Sequence, residues 1–312
     1  AAQVASERID KFLDAFLTRI NTLNPSLFNK LNDPGIQWAL FSAQRDYAKS
    51  GNESVFDLLI EVLIDRAEQD ERNVLQIVLD ESISVVSKLT EEHLDIITLL
   101  FVLKTASIPI EPNLEDFNQF LETYIRPFCN NLVLSSSCVK HLQYSNCVTL
   151  SSENRTQKKM QFVNLLKSIY PLFFMKGFTK DEFESQCGSI RHFPDKLFTS
   201  YIHDTSLTQF NFTNIDDFFE LVRQIDNRHY DNITRTDDKA QIMLRYKGAK
   251  EMSSDEAKFF LEENRPFLQL INSVSDNYKF LFLHLTSVGI AIAQANLKRR
   301  TGISLSLSTW VN

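Results

Sequence analysis

The chain has 312 residues and a formal net charge of −7, with 43% apolar and 23% charged residues, a composition suited to a soluble globular protein. Its seven glycines are about 2% of the total against a usual figure of about 7%, which excludes most dinucleotide-binding, P-loop, propeller and barrel architectures because these need positive φ angles and close backbone approach. The 25 phenylalanines point instead to a helical protein with an aromatic core, and the acidic balance argues against nucleic acid as a partner, since phosphate binding is driven by Lys and Arg.

Apolar residues at Phe12, Leu13, Phe16, Leu17 and Ile20 have the three-and-four spacing of a helix with one buried face, over residues 4–23. These opening residues read as the inside of a helix, so the chain is expected to continue upstream. Asn24-Pro25 stops the helix, and Asp33-Pro34 starts a second, lined by Trp38, Leu40, Phe41 and Tyr47 and ended at Ser50-Gly51-Asn52. Further helices are predicted over 55–67, 74–86 and 91–105. The last has Thr90 as its cap and is apolar all round from Ile96 to Leu103, so it should be central. Residues 1–107 thus read as an N-terminal helical bundle.

Two prolines between Ile108 and Asn113 mark a boundary. A C-terminal, mainly helical region is expected over 108–312, either separate or packed with the first as one unit. It has a helix over 113–128, an irregular Ser- and Asn-rich stretch over 134–154 and a helix over 156–175. Loops with short helical turns are expected from Gly188 to Asn214. Helices return over 214–227, 236–247, 253–272 and 276–299. Residues 303–311, ISLSLSTWV, alternate with period two and predict a strand. The expected fold class is all-α: a multi-helix bundle with an irregular middle segment and one short C-terminal β-strand. No apolar run approaches the roughly 18 residues a membrane span requires.

Chemistry-bearing residues cluster in three places. Cys129, Cys138, His141 and Cys147 follow a C-x8-C-x2-H-x5-C pattern that in principle supplies a tetrahedral zinc set. Structural zinc sites favour close ligand pairs, which only Cys138 and His141 provide, so buried thiols are the expected outcome and no cofactor is expected. The string IDNRHYDN places Asp226, His229 and Asp231 together, the ingredients of a hydrolytic or metal-dependent site. It also falls between two helices, where solvated polar loops belong. Cys187 has His192 five residues on, but nothing nearby lowers its thiol pKa. The run DRAEQDER, residues 65–72, reads as a solvated corner, and Lys298-Arg299-Arg300 as cations at a helix C-terminus. Four cysteines in a chain this long do not make a disulfide framework, which places the protein in a reducing cytoplasm.

The segments DPGIQWALFSAQRDYAKSG, SKLTEEHLDIITLLFVL and HLTSVGIAIAQAN, within residues 33–104 and 283–296, resemble the helical core of bacterial abortive-infection alpha-type proteins and related uncharacterised families. The resemblance implies a bacterial cytoplasmic protein in phage defence or a related conflict system, and carries over no catalytic residue. The expected function is a non-enzymatic interaction or sensor module that binds a protein partner or itself, most simply as a homo-oligomer. Ile303, Leu305, Leu307 and Trp310 of the terminal strand are its expected contact residues. The alternative is an effector enzyme built on the 225–238 cluster.

Overall fold

Side-chain caps set most of the helix boundaries in this chain. A computed structural model describes every residue except 1, 71, 131, 133–134, 151–161, 191–192, 225–237, 264, 276–281 and 312, and the side chains of 239 and 272–275 are likewise outside it. The N-terminal helices are α1 (Ala2–Leu23), α2 (Pro34–Ser50), α3 (Glu53–Ala67), α4 (Val74–Val86) and α5 (Glu91–Lys104). Asp33 Oδ1 accepts from the Ile36 amide at 3.0 Å with Pro34 in the first turn. Asn52 and Asn73 cap α3 and α4 in the same way, at 2.9 and 2.8 Å. Gly51 ends α2 at φ +62°, a left-handed conformation that glycine adopts without a Cβ clash. At the start of α5 the Thr90 amide donates to His93 Nδ1 at 3.1 Å.

The chain divides into two compact units: Ala1–Ile108, Glu122–Met160 and Leu270–Asn312 form the first, and Pro109–Leu121 with Gln161–Gln269 form the second. The expected division into 1–107 and 108–312 is therefore redrawn, because the first unit recruits two later stretches of chain. The reason is the C-terminal helix α14 (Ser287–Thr301), which packs on α5, α3 and α4. It is buried along Val288–Leu297 apart from Ile290, so α5, apolar all round, gains a covering helix that the first 107 residues do not supply.

Close approach explains how α14 begins. Its cap, Thr286, is followed by Gly289, where a Cβ would stand 2.0 Å from the carbonyl oxygen of Cys147. That contact brings strand β1 (Val148–Leu150) against strand β4 (Leu283–Leu285), antiparallel with Val148 opposite Leu285. Further along, buried Asn296 donates to buried Thr98 of α5 at 2.9 Å. The three cations at the end of α14 are not simply facing solvent. Lys298 meets Glu61 at 2.7 Å, Arg299 meets Glu91 at 3.0 Å, and Arg300 meets Glu91 at 3.3 Å and Asp95 at 3.7 Å.

The second unit is built from shorter elements: α6 (Leu114–Phe120), α8 (Phe162–Ile169), α9 (Lys180–Cys187), α10 (Ile215–Arg223), α11 (Asp238–Ala249), α12 (Ser254–Glu262) and a hairpin of β2 (Phe198–Ser200) and β3 (Thr208–Phe210). Helix α13 (Pro266–Ser275) spans the boundary at residue 270. Phe178, Phe183, Phe193, Phe210, Phe212 and Phe218 form the core of this unit, nearly inaccessible to solvent. Phe178 lies 5.7 Å from Phe183 and 5.0 Å from Phe210, between ring centroids.

The all-α class is observed, with two short two-stranded sheets among the described residues. Five local expectations change, one being the helix expected over 276–299, where β4 occupies Leu283–Leu285 and α14 begins only at Ser287. Residues 136–144 are a helix, α7, because Ser135 acts as a cap and turns Cys138, Val139 and Leu142 inward. The 198–210 region pairs as a hairpin, its phenylalanines reaching the aromatic core. The helix expected over 253–272 breaks at Pro266, which cannot continue a helix interior. A short strand does lie in the C-terminal part, at Leu283–Leu285, but 303–311 is not one: Ile303–Ser306 is irregular and Leu307–Thr309 is a 3-10 turn.

Candidate functional site

Helix α2 has two faces of different fate. Ile36, Ala39, Ala43 and Tyr47, spaced by three and four, are buried in the first unit. Trp38 and Phe41 point the other way, 68% and 54% exposed, with ring centroids 5.9 Å apart. Of the residues expected to line α2, Tyr47 is thus buried, Leu40 half-buried, and Trp38 and Phe41 exposed. Helix α4 exposes Val74 and Ile77 by 51% and 52%. Between the helices is a cavity of about 490 Å³ lined by Trp38, Ile77, Arg66 and Asp80 among others.

Arg66 gives this cavity a charged floor. It sits in the last turn of α3, 3% exposed, and its Nε donates to Asp80 Oδ1 at 2.6 Å. With the Gln76 amide turned so that its oxygen faces Arg66, the two guanidinium Nη atoms lie 3.1 and 3.2 Å from it. Gly35 makes room, since a Cβ there would stand 3.0 Å from Arg66 Nη2. The guanidinium is therefore held in one geometry by charge-assisted bonds. At the margins are Arg45, Arg72 and Glu81, so that both signs of charge border an exposed apolar strip. The run 65–72 is not wholly a solvated corner: its first three residues, 65–67, close α3, with Arg66 and Ala67 buried.

The candidate zinc ligands Cys129, Cys138, His141 and Cys147 do not come together as a set. Cys129 Sγ donates to the Ile125 carbonyl at 3.0 Å and Cys147 Sγ is directed at the Ser145 carbonyl at 3.6 Å. His141 Nε2 lies 2.7 Å from the Lys88 carbonyl, and its ring lies 4.8 Å from that of His93, tilted by 37°. Burial raises all the thiols, to about 11 at Cys138, about 12 at Cys147 and higher still at Cys129. Among the described residues no three of His, Cys, Asp and Glu form a group able to hold a metal ion. Burial also lifts Cys187 to about 11, which opposes nucleophilic use of that thiol. Asp226, His229 and Asp231 lie outside the described residues.

The terminal segment is spent on internal packing. Ile303 and Leu305 are half-buried and Leu307 buried, alternating with exposed serines. Trp310 Nε1 donates to the Thr105 carbonyl at 3.0 Å and its ring meets Phe101 edge-on at 5.0 Å. The period-two pattern is thus real, but it records a chain laid along a helical surface, not a strand edge open to a partner.

The groove residues had a signal in the sequence. Positions 36, 39, 43 and 47 make one helical stripe, and Trp38 and Phe41 lie off it. Two large aromatics off the buried stripe are the legible anomaly, whereas the burial of Arg66 depends on α4 and has no local signature.

A family model described only as "-like" matches residues 1–311. The chain belongs to that uncharacterised family. No curated protein and no solved structure matches the chain. No helix among the described residues is long and apolar enough to cross a membrane.

Proposed function

We propose that this protein is a non-enzymatic helical interaction module that assembles with a second copy of itself through the α2–α4 groove. The observation that carries this reading is the exposure of Trp38 and Phe41 on a helix whose other face is firmly packed. Trp and Arg are the residues most enriched where binding energy concentrates, and here they share one cavity. A second copy is favoured over a differently charged partner because the patch complements itself. The cavity sets Trp38 of α2 with Ile77 of α4, and Arg45, Arg66 and Arg72 lie with Asp80 and Glu81 around it. A two-fold axis would set each half of such a patch on the other, as isologous dimers require.

The setting we infer is a bacterial cytoplasm, in phage defence or a related conflict system, a reading supported by the resemblance of residues 33–104 and 283–296. Sedimentation velocity on the purified chain tests the assembly. A dimer that Trp38→Asp converts to monomer, with an unchanged helical spectrum, is the expected outcome. A wild-type chain that stays monomeric at every concentration reached, or a dimer indifferent to Trp38→Asp, sinks the proposal.

A further inference from the structure

The junction of α5 with α7 holds two histidines whose ring centroids lie 4.8 Å apart, and neither lines the groove. His93 is in the first turn of α5 and His141 in the last turn of α7, both half-buried and both in the first unit. Residues 87–90, which join α4 to α5, form the third side of the junction. His141 Nε2 lies 2.7 Å from the Lys88 carbonyl, which can only accept, so that nitrogen carries a proton. His93 Nδ1 lies 3.1 Å from the Thr90 amide, which can only donate, so that nitrogen carries none.

These two bonds make the rings unequal towards a further proton. His141 can take one on Nδ1 and keep its bond to Lys88. His93 has only Nδ1 left to protonate, and there the new N–H would meet the Thr90 amide, so α5 would lose the reciprocal cap of its first turn. A cation at that place also sits at the positive end of the helix and beside the His141 ring. Of the charged groups around it, Glu92 on α5 favours the cation, Glu91 is engaged by Arg299 and Arg300, and Lys88 adds a like charge on the corner. On α7 the remaining ionisable groups are Cys138, a thiol held neutral by burial, Lys140 and Tyr144, while Asp46 of α2 is bonded by Ser87 Oγ at 3.1 Å.

We propose that His93 and His141 form an acid-sensitive latch, in which neutral imidazoles hold α7 on the α4–α5 corner and protonation of His93 releases it. Desolvation lowers the His93 pKa from 6.5, the charge of His141 lowers it further and Glu92 opposes both. The docked state thus binds this proton less tightly than the released one. The contribution of the pair to docking is therefore complete above pH 6.5 and is lost as the pH falls through the lowered value. Release uncovers Cys138, Val139 and Leu142, the buried side of α7.

Hydrogen exchange of the full chain at pH 7.5 and at pH 5, expressed as protection factors, is the test. The helical amides 139–145 should lose protection about tenfold at pH 5, the equivalent of one pKa unit between docked and released states. Those of α11 in the second unit should hold theirs. His93→Gln keeps an acceptor for the Thr90 amide, as glutamine does in a capping box, and cannot become a cation. It should therefore retain the protection of α7 at both pH values. A second readout needs no variant at position 93: NMR titration of the histidine-labelled chain should place the His93 midpoint below 6.5, and His141→Gln should raise it. Protection over 139–145 that is equal at the two pH values, that falls no further than in α11, or that falls as far in His93→Gln as in the wild type would overturn the latch. So would a His93 midpoint at or above 6.5, or one indifferent to His141→Gln.

Discussion

The two units solve the same problem with different side chains. In the first, α3, α5 and α14 are 14 or 15 residues long and buried nearly all round, largely by aliphatic residues. Their relative placement is specified by a few buried polar links, such as Asn296 to Thr98 and Lys298 to Glu61. In the second, the helices are mostly seven to twelve residues long and phenylalanines fill the space between them. A short helix presents few inward positions, so each must carry a large side chain to bury enough area. Long helices can rely on many small contacts, whereas short ones depend on a few rings.

The comparison can be broken most directly in the second unit. Phe183 touches Phe178, Phe193, Phe198 and Tyr246, and Phe183→Ala should cost about 3–5 kcal/mol in urea denaturation. A loss below 1 kcal/mol would show that this core does not rest on individual rings.

In the first unit, the next effect is a pH dependence at Asp95. Burial lifts its carboxyl to about 6 from 3.8, with Arg300 opposing the rise. The folded state then holds this proton more tightly than the unfolded chain, so the group destabilises the fold as pH rises from about 4 through 6. Asp95→Asn removes that dependence. Its stability relative to wild type should grow between pH 4 and 7, by on the order of 2 kcal/mol. A flat difference across that window would count against the burial of an ionised Asp95.

Smaller again is the polar link between α5 and α14. Thr98→Val keeps the shape but leaves Asn296 Nδ2 without its acceptor, at a cost of roughly 1–2 kcal/mol, measured by thermal melting. The smallest stability effect belongs to the groove. Trp38→Ala should change folding free energy by no more than about 0.5 kcal/mol, as exposed substitutions do, while abolishing self-association. A large loss of stability there would mean that Trp38 is a structural residue.

Much of the first unit is legible in the sequence because its signals are local. Asp33-Pro34, Asn52, Asn73 and Thr90 mark helix starts, and the Ile96–Leu103 run marks a central helix. The candidate site is half legible. Trp38 and Phe41 stand off the buried stripe of α2, but their counterparts on α4 and the buried Arg66 are brought to them by packing. The alternation of 303–311 shows the opposite failure, since an inward–outward alternation arises in a strand and equally in a chain lying on helices.

The sequence by itself determined the helical class, the caps and the aromatic character of the second core, because each depends on residues within a turn or two of one another. Tertiary structure alone decided that α14 returns to cover α5, that Lys298, Arg299 and Arg300 find carboxylates rather than solvent, and that buried Gln294 donates to the Leu305 carbonyl. Those outcomes join residues more than two hundred positions apart, and a pattern read along the chain carries no information about which distant surfaces will meet.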